Sequence, residues 1–529
     1  MTKERNMNLC IKLIIKPLRS LLKLLFNRIF YVALALVVQL AWLLIALFRL
    51  MEYSRWVTIG MQAIGFLVVL WIVNKKINPS YKLAWTMLIL IFPVFGVSLY
   101  LLFGKSRIGT VMEQHYQNLI DETAEYLEGS ELTRKRLNED DRSMRIQSDY
   151  IWQYSRYPVH ENTTAEYFQV GDDMFPVLVH ELEQAKHFIF IEYFIINDGV
   201  MWQTILNILE KKAKEGVDVR LIYDGFGCLT TLPYKYDQEM RQRGIKCEVF
   251  NRFRPILNII QNNRDHRKIC VIDGWTGFTG GINLADEYVN RKIRFGHWKD
   301  TAIMLEGDAV RSFTLMFLEM WNVAKSEKVE EFDPYLDVIY EREKHSGEGF
   351  VIPYGDSPID GEHVGKMVYM DILNTSKRYV HIMTPYLILD NEMMTALKFA
   401  AKRGVEVIII MPHVPDKWYA FVLAKTYYNE LLDAGVQIYE YTPGFVHAKV
   451  FTSDDRKAVV GTINMDYRSL YLHFECAAFL YENSEIPAVE NDFQETLKKC
   501  QKITQEDYKK QKSFDKIAGS ILRVFAPLM

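Results

Sequence analysis

Two octapeptides, HRKICVID at residues 266–273 and HAKVFTSD at 447–454, set a histidine, a lysine and an aspartate at the same intervals. Side chains two apart on a strand share a face, so His266 and Lys268 point one way and Arg267 the other; His447, Lys449 and Ala448 repeat the arrangement. Asp273 and Asp454 follow their lysines by five residues, past an apolar run. Each motif is trailed by Gly-x-x-Asn, GGIN ending at Asn283 and GTIN ending at Asn464, each asparagine ten residues beyond its aspartate. These residue types suit phosphodiester chemistry. Displacing an alkoxide from a stable phosphodiester anion calls for a nucleophile, a proton for the leaving oxygen, and positive charge around the non-bridging oxygens. Two imidazoles can supply the first two. Lys268, Lys449, Asn283 and Asn464 can supply the third as phosphate-binding donors, so the pattern calls for no metal and no cofactor.

A lone histidine is usually a hydrogen-bonded core residue, and duplication is what sets His266 and His447 apart. His297 in GHWKD and His413 in MPHVPDKW have no duplicated counterpart and read as seam or loop residues; Tyr193 and Tyr386, at similar strand ends, read as packing. The six cysteines are scattered, with no CxxC, and read as buried or free thiols rather than zinc ligands or disulfides.

The elements that must carry the motifs are repeated as well. AKHFIFIEYFIIND from Ala185 resembles SKRYVHIMTPYLILD from Ser376, AKEGVDVRLIYD from Ala213 resembles AKRGVEVIIIMP from Ala401, and RQRGIKCEVF from Arg241 resembles LDAGVQIYEY from Leu432. Each pair reads as a helix end, a glycine cap or short turn, and a strand. The offsets are 188 residues for the first glycines (Gly216, Gly404), 191 for the second (Gly244, Gly435) and 181 for the histidines. Near-constant spacing over several landmarks marks an internal duplication. Alternating strands and helices predict an α/β fold of two tandem α-β-α sandwich lobes, 149–340 and 341–529, related by a pseudo-twofold that brings both histidines to a shared seam. Residues 105–148, charged and polar, read as a helical connector.

Residues 1–104 are different in kind. They hold 12 Lys plus Arg against 2 acids, and since the whole chain carries −3, residues 105–529 carry −13. An acidic catalytic part argues against a nucleic-acid partner, which needs a basic footprint. Three charge-free stretches, 29–48, 57–73 and 83–104, have the length and composition of membrane spans, which predicts N-terminal transmembrane helices and a multi-pass anchor. With three spans, the basic N-terminus and the loop carrying Lys75, Lys76 and Lys82 share the cytoplasmic side and the large domain lies outside; with two, the arrangement changes. The apolar run FRPILNII at 253–260 and the tail ILRVFAPLM read equally as membrane contacts or as core.

The doubled HxKxxxxD with its Gly-x-x-Asn tail resembles the signature of the phospholipase D superfamily. From residue 78 onward, NPSYKLAWTMLILIFPVFG, IEYFIIND, NRDHRKICVIDG, FTGGINLADEY, HWKDT and GFVHAKVF follow the order seen in bacterial cardiolipin synthases, so the resemblance covers about four fifths of the chain. The extra hydrophobic stretch at 29–48 departs from that family's usual two-helix N-terminus. The resemblance implies catalytic roles for His266, Lys268, Asp273, His447, Lys449 and Asp454, with Asp300 and Glu475 orienting the histidines; by residue chemistry alone the two aspartates read first as strand-end or lysine-pairing groups. It favours His266 as nucleophile and His447 as acid and base. The implied reaction converts two phosphatidylglycerols into cardiolipin and glycerol at a bacterial plasma membrane, with the bilayer as partner. The alternatives are a membrane-bound phospholipase D that hydrolyses head groups, or a synthase using phosphatidylethanolamine as donor.

Overall fold

The computed structural model describes scattered residues between 37 and 49, then 55–75, 77–103, 109–252, 263–325, 332–336 and 347–528. Most of the stretch 29–48 and all of 253–260 lie outside the described residues. The chain divides into two compact units, residues 1–106 with 253–261, and residues 107–252 with 262–529.

The first unit contains helices α1 (Arg55–Val73), α2 (Pro79–Ile91) and α3 (Pro93–Phe103). Asn78 caps α2 by accepting the Ser80 N–H, and Pro79 occupies its first position, where a missing N–H costs nothing. The expected span 83–104 is therefore not one helix. Pro93 cannot donate and disfavours a helical Phe92, so the run breaks there. Gly96 then lets α3 pack against α2 so closely that a Cβ would sit 2.6 Å from the Ile89 Cα. Helices of 13 and 11 residues reach only about 20 and 16 Å at 1.5 Å per residue. Among the described residues, no helix is long and apolar enough to cross a membrane. Trp85 packs edge-on to Tyr100 at 5.2 Å inside this unit, while Phe66, Leu67, Leu90, Ile91 and Leu101 are exposed on its outside.

The second unit holds both repeats. In chain order its strands are β1 (Thr163–Phe168), β2 (Phe188–Tyr193), β3 (Asp218–Asp224), β4 (Lys246–Phe250), β5 (Arg264–Asp265), β6 (Lys268–Ile272), β7 (Thr276–Gly280), β8 (His297–Lys299) and β9 (Ala302–Gly307). There follow β10 (Phe350–Asp356), β11 (Tyr379–Met383), β12 (Glu406–Pro412), β13 (Gln437–Tyr441), β14 (Gly444–Val446), β15 (Val450–Ser453), β16 (Lys457–Gly461), β17 (His473–Tyr481) and β18 (Cys500–Ile503). The first sheet runs β1-β9-β7-β6-β2-β3-β4 and the second β10-β17-β16-β15-β11-β12-β13-β18. In each, a parallel trio (β2-β3-β4, β11-β12-β13) joins an antiparallel group through the motif strand, β6 on β2 and β15 on β11. The repeat glycines behave as expected. Gly216, Gly244, Gly404 and Gly435 take φ of 93°, 85°, 92° and 97°, the left-handed turn that ends a helix before a strand.

The lobes meet over a continuous apolar core. Helix α4 (Val310–Ala324) is buried on nearly every side, and its Phe313 and Phe317 share a cluster with Phe190 of one sheet and Val460, Phe474 and Ala478 of the other. The 105–148 region is helical as expected but does more than connect. Tyr116, Leu119 and Ile120 enter this seam core, and Leu137 and Met144 enter the second lobe's core. Short strands also cross the seam, β5 pairing with β17 and β8 with β14.

Candidate active site

His266 lies between β5 and β6, where the cross-seam pairing of β5 with β17 fixes its backbone: its N–H donates to the Phe474 carbonyl at 2.9 Å. The next residue of β17, Glu475, brings both carboxylate oxygens to 2.9 Å from His266 Nδ1. Thr462, from the GTIN turn, donates its hydroxyl to the same carboxylate. The second half-site mirrors this with the lobes exchanged. The His447 N–H donates to the Lys299 carbonyl at 2.7 Å, and the next residue, Asp300, stands 2.6 Å from His447 Nδ1. The Asp300 carboxylate also accepts the Thr301 N–H at 2.9 Å. Each histidine is thus held by a carboxylate from the opposite lobe.

With a carboxylate accepting at Nδ1, that nitrogen carries the proton and Nε2 is left with its lone pair. Burial lowers His266 well below the ordinary imidazole range despite the pull of Glu475, and burial with the Lys449 charge lowers His447 to about 4. Burial alone would raise Glu475; the hydrogen bond donated by His266 opposes it and keeps the carboxyl low and ionised. Burial also brings Lys268 down to about 8 and Lys449 to about 7. The two half-sites share one electrostatic environment, since Asp300 and Glu475 each pull on both lysines and Lys268 acts on His447 and Lys449. They also touch. A Cβ on Gly281, in the first GGIN, would fall 2.0 Å from Asp300 Oδ1 and 3.0 Å from the His447 carbonyl oxygen, so only glycine fits.

Lys268 donates to the His266 carbonyl at 2.6 Å, and Lys449 donates to the carbonyl of His447 with its ammonium 2.9 Å from the ring Nδ1. Each ammonium has three N–H groups, so this leaves donors for an anion. Asn283 accepts from the Ile195 N–H at 3.0 Å and donates to the Tyr288 hydroxyl at 2.8 Å; Asn464 donates to Ser469 Oγ at 3.1 Å. Each amide keeps a second N–H. Asp273 and Asp454 do not join them. Each sits at the far end of its strand with φ of 54° and 56° and accepts three consecutive backbone N–H groups, from Lys186, His187 and Phe188 or from Lys377, Arg378 and Tyr379. The strand-end reading holds for both, and a place in the reaction centre does not. Arg267 faces away, paired with Glu192 at 2.7 Å. His297 is in the seam strand β8 opposite Gly444, His413 pairs with Glu440 at 2.9 Å, Tyr193 is buried, and Tyr386 donates to Asp416 at 2.6 Å.

His473 is the residue that motif reasoning passed over. It is 8% exposed, its ring lies 5.5 Å from that of His266, and its Nδ1 is 3.7 Å from Glu475. Its place two residues before the carboxylate, where the first lobe has Trp298, was the available signal. The ligand atoms of His266, His473 and Glu475 lie within 4.8 Å of one another. A cation there would displace the hydrogen bond that orients His266. A separate cavity of about 380 Å³, bordered by His160, Trp275, Gly307 and Arg311, opens at the opposite end of the first sheet.

Two lobes with interchanged histidine–carboxylate pairs define a phospholipase D-like fold, and comparison with known proteins agrees. The family model described as cardiolipin synthase, PLD-like domain, matches residues 178–321 and 369–497, and a phospholipase D-nuclease N-terminal model matches 63–105. A cardiolipin synthase of Halalkalibacterium halodurans is 34% identical over 90% of this chain and 94% of its own length. Cardiolipin synthase 2 of Bacillus cereus is 35% identical over 88% and 90%, and an uncharacterized protein of Streptococcus mutans is 48% identical over 87% and 99%. Among solved structures, a phosphatidylserine synthase from Haemophilus influenzae superposes with a TM-score of 0.52 at 13% identity, covering 69% of this chain and 93% of that one, which speaks to the fold alone. The chain belongs to the phospholipase D-like cardiolipin synthase family, and it is an enzyme.

Proposed function

We propose that the chain transfers the phosphatidyl group of one phosphatidylglycerol to another, yielding cardiolipin and glycerol. The observation that carries this reading is the reciprocal pairing of His266 with Glu475 and His447 with Asp300, which leaves two neutral imidazoles, each with its Nε2 lone pair, at the buried, lysine-bearing seam between the lobes. Nε2 of His266 attacks phosphorus; the bond to the head-group glycerol breaks, and that oxygen takes a proton from His447. The anionic substrate supplies this proton's stability by raising His447 as it binds. A terminal hydroxyl of a second phosphatidylglycerol then gives its proton back to His447 and attacks, releasing His266. Lys268 and Lys449 bear the charge on the non-bridging oxygens, with the remaining N–H groups of Asn283 and Asn464 beside them.

The kinship with cardiolipin synthases favours the synthase. The anchor favours lipid over nucleic acid: α1, α2 and α3 expose apolar residues outward, as a bilayer-inserted unit does, and the stretch 29–48 adds a charge-free run. On this reading the enzyme works at the plasma membrane of a bacterium, with the α2–α3 pair as a shallow apolar hairpin against the lipid. The test is to give purified full-length protein phosphatidylglycerol vesicles and separate the products. Cardiolipin with glycerol is expected; phosphatidic acid with glycerol would make the enzyme a hydrolase. Cardiolipin formed only when phosphatidylethanolamine is added would move the donor role to that lipid.

A further inference from the structure

Helix α6 (Ser513–Phe525) packs on α5 (Trp418–Asp433) through Gly519, where a Cβ would lie 2.7 Å from Thr426 Cγ2 and 3.0 Å from the Val422 carbonyl oxygen. That contact accounts for one face only. Phe514, Ile517, Ile521 and Phe525, spaced three or four apart, form a second stripe along the helix, and all four are exposed. The stripe continues onto α5, where exposed Trp418 stacks on Phe514 at 6.1 Å. A continuous apolar strip of this kind on a surface is an interaction site.

The charge beside it says what it meets. Residues 508–529 carry Lys509, Lys510, Lys512, Lys516 and Arg523 against Asp515 alone, inside a region, 105–529, whose net charge is −13. Lys509, Lys510 and Lys512 are exposed. Arg523 turns onto α5, donating to the Thr426 carbonyl at 3.2 Å, and Lys516 donates to the Lys509 carbonyl at 2.8 Å, so the exposed positive charge is the lysine cluster just before the helix. An exposed apolar flank, a basic cluster at its start and an aromatic at its edge are the composition of a helix lying in the head-group layer of an anionic leaflet.

Its location serves the reaction. β12 ends at Pro412, the same sheet edge at which β15 begins just after His447 and Lys449. Between Pro412 and Trp418, Asp416 accepts from Tyr386 and acts electrostatically on Tyr288, whose ring is 5.6 Å from His447. The strip therefore begins beside the end of the sheet that carries His447 and Lys449. The first lobe matches it: Phe226 and Tyr234, beyond the end of β3 at the corresponding edge, are exposed as well.

We infer that the stripe on α6 together with Trp418 is a docking surface for an anionic phospholipid leaflet, which presses that end of the sheet against its substrate. This rests on a phospholipid being the substrate, but not on which product forms. The test uses the full chain with Cys10 and Cys500 changed to serine, an Ile517→Cys substitution and an environment-sensitive fluorophore on that thiol, reconstituted in phosphatidylglycerol–phosphatidylcholine vesicles. The expected result is a blue-shifted emission, quenched at least twofold by lipids brominated on the acyl chain, with the shift reduced by half or more in pure phosphatidylcholine or in the triple variant Lys509→Gln, Lys510→Gln, Lys512→Gln. Emission unresponsive to brominated lipid overturns the inference. So does a blue shift of equal size in detergent that disappears as the protein dissociates on dilution, which would assign the stripe to a second copy of the chain. In parallel, Ile517→Ser with Ile521→Ser should lower turnover of vesicle phosphatidylglycerol at least tenfold and leave turnover of monomeric dihexanoyl phosphatidylglycerol unchanged; equal losses on both also overturn it. A quenched probe on an enzyme that releases phosphatidic acid would retain the docking surface and reject the synthase.

Discussion

The two half-sites perform the same hydrogen bond with different parts. His266 is held by a glutamate that also receives the Thr462 hydroxyl, and it sits among Phe194 at 4.9 Å and His473 at 5.5 Å. His447 is held by an aspartate, one methylene shorter, with Tyr288, Trp298 and Phe445 between 5.6 and 5.8 Å away. The position that is Thr462 in the second lobe is Gly281 in the first, and there a side chain would strike the Asp300 carboxylate. A short carboxylate must bring its backbone closer, and glycine is what the approach requires. Duplication supplied two equal frames; these substitutions made them unequal, which is what a division into nucleophile and acid–base needs.

The largest test of that division removes each ring. His266→Ala and His447→Ala should each lower turnover by about 10³-fold or more, because either loss removes a bond-making or proton-transferring group. A phosphatidyl ester of p-nitrophenol separates them, since that leaving group needs no proton. His447→Ala should still give one burst of p-nitrophenol per enzyme, and His266→Ala none. The opposite pattern exchanges the roles, and a burst in both variants removes both histidines from the covalent step.

Next come the carboxylates and the turns behind them. Glu475→Gln and Asp300→Asn should each cost about 10²-fold in turnover, as removal of a group that orients a functional histidine does. Gly281→Ala should follow, costing about tenfold and about 1–3 kcal/mol of stability through overpacking, while Thr462→Val stays closer to the parent. Turnover with thermal melting checks both. An inert Gly281→Ala would mean that Asp300 moves freely and that the asymmetry has no mechanical content.

Much of this was legible in the residues. The helix–glycine–strand repeats gave the two α/β lobes, and the paired HxKxxxxD motifs gave the histidines and lysines that the fold gathers. What pattern reading left undetermined was pairing across the seam. Glu475 is 209 residues from His266 and Asp300 is 147 from His447, and two- or three-residue strands such as β5 and β8 have too little periodicity to be seen. His473 carries no motif and is recognised only by what surrounds it. The stretch 83–104 misled for another reason: absence of charge sets a solvent, not a length, and Pro93 and Gly96 fold the run back on itself. The aspartates of the motifs were ambiguous because a carboxylate that orders a turn and one that moves a proton look alike in sequence.

The lysines test whether the halves share one field. Burial lowers Lys449 to about 7 and Lys268 to about 8, so both are cationic in acid and lose charge as pH rises. Their loss removes positive charge from the phosphate site, so KM for phosphatidylglycerol should climb through that window, with kcat less affected. His447, at about 4 in the empty site, does not produce a limb there. Lys449→Arg keeps its charge at any accessible pH and should remove the earlier part of the rise. A KM that is flat from about pH 6 to about pH 9 would show that the lysines stay charged, and that the two half-sites do not depress each other.

The smallest effect compares Asp273 with Asp454. Both collect three backbone N–H groups at the start of the neighbouring strand, yet Asp273 is buried and Asp454 is half exposed. Asparagine keeps one acceptor oxygen and turns the other into a donor facing N–H groups, leaving buried donors unpaired in one case and open to water in the other. Asp273→Asn should therefore lower stability by about 1–3 kcal/mol and Asp454→Asn by less, while turnover of the folded variants stays within a few-fold of the parent. Denaturant midpoints with turnover measured at saturating lipid decide it. Equal destabilisation would mean that water reaches neither turn, and a large fall in turnover at unchanged stability would return these carboxylates to the chemistry from which their position at the far strand end removes them.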